Sequence, residues 1–178
     1  MKKVFTVILL FVAAYFSIAQ TNNKHLSLKR NGNAIFPLAG TWVLKAAEVI
    51  FPDGTHATDT AYGKNAKGIL MIDEDGQYSL QIFRPDRLKF ASGDKKKGTP
   101  EEYESALLGI STHIGHIKID TVNNILQFNI DYAAYPNWDN TTQTRKFKLS
   151  NEELYYEVPA KAAAGTIAVS IWTRIKTK

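Results

Sequence analysis

The sequence of 178 residues contains no cysteine. Without cysteine the fold has no disulfide, so it must be stabilised by a hydrophobic core, which a single domain of this length can form. The same absence excludes an N-terminal lipid anchor of the bacterial lipoprotein type. It also removes the thiolate ligands that many structural zinc sites use.

Recognisable catalytic and nucleic-acid-binding motifs are missing as well. The chain has no nucleophile elbow, no phosphate-binding loop, no metalloprotease motif and no internal repeat. Its formal charge of +5 falls by two without Lys2 and Lys3, and much of the remainder lies in the lysine triplet at residues 95–97. Because no basic face with interleaved aromatics is present, nucleic acid is not an expected partner. No cofactor is predicted.

The first 19 residues have the order of an export signal. Two lysines precede an apolar run, and the small residues Ser17 and Ala19 predict cleavage after Ala19. The alternative is a membrane anchor, but the run is short for a span and no stop-transfer charges follow it. We therefore expect a signal peptide over residues 1–19, a flexible polar lead over 20–35 and a folded domain over 36–178. The mature protein is expected to be periplasmic or secreted, with no stable membrane span.

The folded domain has the pattern of β-strands joined by short turns. GTWVLKAAEVIF is a strand that ends at Pro52-Asp53-Gly54, and the last strand is GTIAVSIWTRIK. Three hairpins are predicted, in KGILMIDEDGQYSLQIF, HIKIDTVNNILQFNIDY and TQTRKFKLSNEELYYEV. About eight strands with short connections predict an antiparallel barrel or sandwich.

One helix interrupts the strands after FRPDRLKFASGDKKKG. Thr99 is its predicted cap, Pro100 suits its first turn and Glu102 completes a capping box. An apolar face follows at helical spacing, formed by Tyr103, Ala106, Leu107, Ile110 and Ile114. Such a face needs a surface, so the helix is expected to lie over an opening or flank of the barrel. The long loop at residues 84–98 is either functional or an ordinary crossover.

Several segments resemble the bacterial and fungal lipocalin-like domain family. They are GTWVLKAAEVIFPDG, the stretch YGKNAKGILMIDEDGQYSLQIFRPDRLKFASGDKKKGTPEEY, YPNWDNTTQTRKFKL and the closing IWTRI. The resemblance runs from about Leu38 to Ile175, and FRPDRLKFASGD is its most specific part. It implies a mainly β fold: an eight-stranded antiparallel up-and-down barrel of the calycin type, with one helix between the third and fourth strands. It also implies a pocket for a small, largely apolar molecule, but little about activity.

The resemblance also gives a role to Trp42 and Arg174. In lipocalins a Gly-x-Trp sequence places an indole at the closed end of the barrel, and an arginine on the last strand packs across it. This role makes Trp42 a plug rather than a ligand contact. If Arg174 shares a face with Trp172, the other face of the last strand is an apolar row that points outward, formed by Ile167, Val169, Ile171 and Ile175. Either that strand contains a bulge or the helix covers the row.

Candidate pocket residues follow from strand alternation. In QYSLQIFR one face carries Tyr78 and Arg84 together with aliphatic residues, which suits a cavity wall with a polar rim. Arg84 and Arg87 can clamp a carboxylate or phosphate, or pair with loop carboxylates and fix the loop. Trp138 is expected in a loop over the barrel mouth, where it either stacks on a ligand or seals the core. Glu48 is the one acid of the first strand, and it either binds inside or faces water.

Two histidines raise the question of a metal or haem site. His113 and His116 are three residues apart, with His113 predicted at the helix end and Gly115 interrupting the helix. No cysteine or carboxylate cluster completes a zinc set, so a capping histidine and a strand histidine are expected instead. The predicted ligand-binding residues are therefore Tyr78, Arg84, Arg87, Trp138, Glu48 and His113; no metal and no catalytic residue is predicted.

Three functions agree with these patterns. The leading hypothesis is an exported protein that binds a small hydrophobic or amphipathic ligand inside the barrel, with an anionic group held at Arg84 or Arg87. The second is an isomerase or cyclase that uses Glu48, Tyr78 and the histidines in the same pocket. The third is a cell-envelope interaction protein with a filled barrel. The cavity volume and the direction of Glu48 and Arg84 distinguish these hypotheses.

Overall fold

The computed structural model describes residues 29–30, 33–34, 36–150, 152–159 and 165–176. The predicted signal peptide and most of the polar lead lie outside these residues. Within the lead, two short segments, Lys29–Arg30 and Asn33–Ala34, pair with each other antiparallel. In the part of the chain that is described, no helix is long and apolar enough to cross a membrane.

The fold is a closed antiparallel barrel. Over the described residues its sheet has nine strands: β1 (Gly40–Ile50), β2 (His56–Thr58), β3 (Lys67–Ile72), β4 (Gln77–Phe83), β5 (Ile110–Asp120), β6 (Ile125–Ala133), β7 (Thr141–Leu149), β8 (Glu153–Pro159) and β9 (Ile167–Arg174). Eight of these form the ring, because β9 pairs with both β8 and β1. The ninth strand, β2, pairs only with β1, so the chain departs there from a simple up-and-down order.

Local sequence explains the hairpins. Between β3 and β4 the Asp73 carboxylate accepts the backbone N–H groups of Asp75 and Gln77, each at 2.9 Å. Gly76 supplies the positive φ of 90° that closes this turn. In β4 every second side chain is buried, beginning with Tyr78. The alternation therefore sets which side chains enter the barrel.

The end of the barrel where β1 begins is closed by a plug, which confirms the role expected for Trp42 and Arg174. Trp42 is fully buried, and its indole N–H donates to the carbonyl oxygen of Leu38 at 2.9 Å. The Arg174 guanidinium lies 4.1 Å from the centroid of the indole ring and donates to the carbonyl oxygen of Pro37 at 3.1 Å. A cation over an indole face excludes water from this end of the barrel.

A bulge lies in the first strand, opposite the last one. Ile171 pairs with Ala46 and Trp172 pairs with Leu44, which leaves Lys45 of β1 as the extra residue. The bulge expected in the last strand therefore lies in β1 instead, since β9 pairs with β8 without a register shift. Trp172 then lies in the core.

The single helix of the described residues, α1 (Pro100–Leu108), lies between β4 and β5. Counted over all nine strands, the helix follows the fourth strand and not the expected third, because the short strand β2 precedes β3; within the eight-stranded ring β4 is the third strand. The predicted capping box is confirmed: Thr99 Oγ1 accepts the Glu102 N–H, and the Glu102 carboxylate accepts the Thr99 N–H. Pro100 occupies the first turn.

The predicted length and apolar face of the helix are wrong. The helix ends at Leu108, and Ile110 begins β5, where it pairs with Phe83. Consequently Ile114 and His113 lie within a strand rather than on a helix. The apolar side chains of α1 are largely exposed: Tyr103 is 43% exposed, Leu107 47% and Leu108 60%. Glu102, in contrast, is buried. Polar contacts, together with the packing of Tyr103 against Phe90 of the preceding loop, therefore hold this helix.

Glu102 joins the helix to the loop that precedes it. One carboxylate oxygen accepts the Ala91 N–H at 2.8 Å, and the other accepts the Thr99 N–H at 2.9 Å. The loop is also fixed by Ser105, whose hydroxyl accepts the Leu88 N–H at 2.9 Å. Hydrogen bonds to a buried carboxylate are stronger than neutral ones, so this residue stabilises the whole connection.

We predict that Glu102→Ala loosens this connection without opening the barrel. The variant loses two charge-assisted hydrogen bonds, at a local cost of about 2 kcal/mol. Hydrogen exchange of the Ala91 and Thr99 amides should therefore accelerate by a factor of about 30, while amides of the barrel core keep their protection. Glu104→Ala, which changes an exposed glutamate of the same helix, is the control. Unchanged exchange at both amides in Glu102→Ala would contradict the role given to this carboxylate.

Candidate functional site

Opposite the plug, five adjacent strands each direct one polar or aromatic side chain into the barrel. They are Tyr78 on β4, His113 on β5, Phe128 on β6, Arg145 on β7 and Tyr156 on β8, all buried. We call this set the interior cluster. Each of the five residues lies on the same face of its strand as the core residues of that strand. Because the strands are neighbours in the sheet, the five side chains come into contact.

His113 is the centre of the interior cluster. Its Nδ1 lies 2.7 Å from Tyr78 Oη, and its Nε2 lies 3.4 Å from Arg145 Nη2. A guanidinium has only N–H donors, so Nε2 is the acceptor in that contact. The proton of the neutral ring is therefore on Nδ1, which donates to Tyr78 Oη. The ring also makes edge contacts with Phe128 and Trp138.

Burial keeps both partners of this hydrogen bond neutral. It lowers the pKa of His113 from 6.5 to about 3, and the nearby charge of Arg145 acts in the same direction. Burial raises the pKa of the Tyr78 hydroxyl well above its ordinary value, an effect that Arg145 partly opposes. Near neutral pH the pair is therefore an uncharged hydrogen-bonding unit.

We predict that the buried His113 makes the barrel sensitive to acid. The unfolded chain takes up a proton near pH 6.5, whereas folded His113 resists protonation until about pH 3. Since the unfolded state binds more protons in this range, stability falls as the pH falls from 6.5 towards 3, by about 2 kcal/mol at pH 5. Urea unfolding at pH 7 and pH 5 measures this difference. His113→Gln should lose that part of the pH dependence and His116→Gln should keep it; equal slopes in both variants would contradict the assignment.

Arg145 is a buried cation with unused donor capacity. The residue is 3% exposed, and its guanidinium carbon lies 4.0 Å from the Phe128 ring centroid and 4.9 Å from that of Tyr156. Nη2 donates to the Gln143 side-chain oxygen at 2.9 Å, but Nε has no hydrogen-bond partner. Among the described residues no carboxylate lies within 4 Å of the guanidinium nitrogens. A buried charge without a counterion is costly, so its presence needs an explanation.

The guanidinium faces a cavity of about 80 Å³ inside the open end of the barrel. His113, Arg145 and Tyr156 contribute to its inner part, and Leu80 and Ile82 are among the apolar residues of its wall. Two connections at the open end, residues 51–66 and 134–140, supply Asp59, Tyr62 and Trp138 at its mouth. Larger hollows on the outer face of β7 and β8 are open to solvent and contain no buried charge. The interior cavity is therefore the candidate ligand site.

Asp59 gives the mouth of the cavity an acidic group. Its carboxylate is half-buried and accepts the Ala61 N–H at 2.8 Å. Burial raises the pKa of this carboxyl, and the hydrogen bond from Ala61 partly opposes the shift. The cavity thus has a cation at its inner end and a carboxyl group at its mouth.

Comparison with known families agrees with this architecture. A model of the lipocalin-like domain matches residues 39–175, which is most of the chain and includes all the strands of the barrel. The chain belongs to the lipocalin-like domain family. A search of curated proteins gives no match. The lipocalin-like barrel supports binding of a small ligand in general terms, with the plug at one end and the cavity at the other.

The lipocalin-like structure brings three of the predicted site residues together. Tyr78 and His113 belong to the interior cluster, and Trp138 lies at the mouth with its ring 6.0 Å from that of His113. Trp138 belongs to a short 3₁₀ turn, Pro136–Trp138, and is half-buried. That these residues contact a ligand stays a prediction.

The other three predicted residues lie away from the cavity of this lipocalin-like protein. Arg84 forms an ion pair with Asp86, at 3.2 Å between Nε and the carboxylate. Arg87 donates to the carbonyl oxygen of Gly109 at 3.3 Å and lies over the Phe83 ring. These contacts support the alternative in which the two arginines fix the loop. Glu48 lies outside the cavity, with its carboxylate 3.1 Å from Nδ1 of His56 on β2, and this contact is partly exposed.

The two histidines cannot share a metal ion. They are three residues apart on β5, so their side chains point to opposite faces of the sheet. His113 points inward, while His116 is only partly buried. Over the described part of the lipocalin-like chain, no group of three His, Cys, Asp or Glu side chains is placed to hold a metal. The expectation of a capping histidine at position 113 is wrong, because the helix ends before it.

Arg145 is the residue that reasoning from the sequence missed, although a signal was present. In TQTRKFKL the residues alternate, and Phe147 and Leu149 mark the inward face. Arg145 is in phase with them, whereas the lysines Lys146 and Lys148 are in the opposite phase. A charged residue in phase with the core predicts a buried charge.

Proposed function

We propose that this lipocalin-like protein binds a small amphipathic molecule in the cavity at the open end of the barrel. The observation that carries the proposal is the cavity itself, which combines apolar walls with a few convergent polar groups. The plug of Trp42 and Arg174 closes the opposite end, so we infer that the ligand enters past Trp138.

The ionisation of the interior cluster favours binding over catalysis. An isomerase or cyclase that works by proton transfer needs an acid or base whose pKa lies near the working pH. The pKa of His113 is lowered to about 3, and that of Tyr78 is raised well above its ordinary value. Glu48, the third group that the enzyme hypothesis requires, lies against His56 instead. The cluster is therefore better suited to hydrogen-bonding a ligand than to exchanging protons with it.

The volume of the cavity limits the size of the ligand. Typical ligand pockets have about 300–1,000 Å³, whereas this cavity has about 80 Å³. Side chains fill the plugged half of the barrel, as the interaction-protein hypothesis expects. However, a barrel filled only to support its outer face has no need of a buried arginine that faces a cavity. We therefore expect a ligand of only a few non-hydrogen atoms.

We also propose that the protein is exported to the periplasm or secreted. The order of charge, apolar run and small residues over positions 1–19 supports this proposal. N-terminal sequencing of the protein recovered from its native source tests it, because the mature chain should begin at Gln20.

Binding is tested by native mass spectrometry of the mature protein from its native source, before and after organic extraction. We expect an extractable small molecule in a one-to-one complex. Ala168→Leu, which fills the cavity from β9, should abolish the complex. Ala57→Leu on the exposed strand β2 is the matched control and should retain it. A complex that persists in folded Ala168→Leu would place the ligand elsewhere and contradict the proposal.

A further inference from the structure

We infer that the ligand is a small monocarboxylate, with its carboxylate group bound by Arg145. This inference rests on the proposed function, because it assigns the chemistry of the molecule in the same cavity. It follows from the charge of the site, its hydrogen-bond donors and its volume. Each of these restricts the chemistry of the ligand independently.

The charge of the site calls for an anion. The Arg145 guanidinium keeps its positive charge in a protein, and the residue is 3% exposed. No described carboxylate neutralises it within 4 Å, and the Phe128 and Tyr156 rings only partly replace water. A single negative charge on the ligand compensates this cation, whereas a dianionic phosphate leaves an excess charge in the barrel.

The hydrogen-bonding groups around the cavity are mainly donors. Arg145 Nε is a buried donor without an acceptor, whereas the indole N–H of Trp172, whose ring stacks on Tyr156, lies near the Tyr156 hydroxyl oxygen. The Tyr156 hydroxyl accepts a hydrogen bond from Ser170 and keeps its own proton to donate. A carboxylate offers two oxygens that only accept hydrogen bonds, and its planar shape matches a guanidinium. The carboxylate therefore satisfies Arg145 Nε, a buried donor that the protein leaves unpaired, and can also accept from Tyr156.

The position of Asp59 orients the ligand, and the volume of the cavity limits its size. Asp59 lies at the mouth, so repulsion directs the carboxylate of the ligand to the inner end, beside Arg145. A cavity of about 150 Å³ is known to accommodate benzene, and the present one has about 80 Å³. Short aliphatic acids fit this limit, with the alkyl chain against Leu80 and Ile82.

Isothermal titration calorimetry of the mature protein tests the assignment, with acetate, propionate and butyrate as probes and their uncharged amides as controls. We expect one-to-one binding of at least one acid, with its amide at least about thirtyfold weaker. Arg145→Met should weaken acid binding at least about thirtyfold, and Arg145→Lys should restore part of it. Arg87→Met, which removes an arginine of the loop, should leave it unchanged. Circular dichroism establishes that each variant is folded.

Three results would overturn the carboxylate assignment while leaving the proposed function intact, and the first two come from the titrations. One is equal affinity for an acid and its amide, and the other is undiminished acid binding by folded Arg145→Met. A neutral molecule extracted from the native protein, together with no affinity for the acids, also overturns it. Ala168→Leu distinguishes the proposed function from the carboxylate assignment. It blocks every ligand of the cavity, whereas Arg145→Met weakens the binding of an anion only.

Discussion

Gly115→Ala is expected to destabilise the barrel by at least about 3 kcal/mol. Gly115 has a φ of 155°, a conformation that side chains with a Cβ rarely adopt. A Cβ at this position would lie 2.0 Å from the carbonyl oxygen of Asn129 and 3.0 Å from the backbone nitrogen of Asp131. Both atoms belong to the backbone of β6, so relief of the clash requires the two strands to separate.

Urea unfolding followed by circular dichroism measures the effect, and Gly93→Ala is the matched control. Gly93 also has a positive φ, of 67°, but no atom lies within 4 Å of a Cβ built there. The control should therefore lose only the conformational contribution, about 1 kcal/mol. If the two variants lose the same stability, the steric argument for Gly115 is wrong. If Gly115→Ala does not accumulate as a folded protein while Gly93→Ala does, the argument holds.

Trp42→Ala is expected to cost about 3–5 kcal/mol of unfolding free energy. The variant removes a fully buried indole, its hydrogen bond to Leu38 and the ring beneath the Arg174 guanidinium. The Arg174 guanidinium then loses its cation–π contact and borders a cavity at the end that the plug closes. Unfolding in urea and thermal unfolding should both report the loss.

The neighbouring residue provides the control for the plug. Val43 is 44% exposed and points away from the core, so Val43→Ala should cost less than about 1 kcal/mol. A Trp42→Ala variant as stable as Val43→Ala would show that the indole is not a plug. Trp42→Phe keeps an aromatic ring without the N–H donor, and we expect its stability to lie between the two.

Features with local causes could be predicted from the sequence. The capping box of Thr99 and Glu102 and the turn at Asp73 depend on residues only a few positions apart, and the structure confirms both. The plug formed by Trp42 and Arg174 is not local, but the family resemblance supplied it. The alternation in β4 was sufficient to assign Tyr78 to the inward face.

Features that depend on pairing between distant strands could not be predicted. Ile110 and Ile114 fit the spacing of a helix as well as the alternation of a strand. The choice is made by hydrogen bonds from β5 to β4, which no local pattern reveals. The same dependence on strand pairing explains why the sequence did not indicate Arg145 as the arginine of the ligand site. Arg84 and Arg87 lie at the start of a long loop, which favoured them as ligand-binding residues, whereas the role of Arg145 depends on which face of β7 points inward.

The closure of the ring has a consequence for how the protein folds. The first and last strands, β1 and β9, must pair before Arg174 can meet Trp42. Until β9 is available, β1 and β8 both present unpaired edges, which are templates for intermolecular pairing. Such long-range pairing is slow to form, so the step that completes the plug is expected to limit the folding rate. A chain that ends before β9 is therefore expected to aggregate rather than fold.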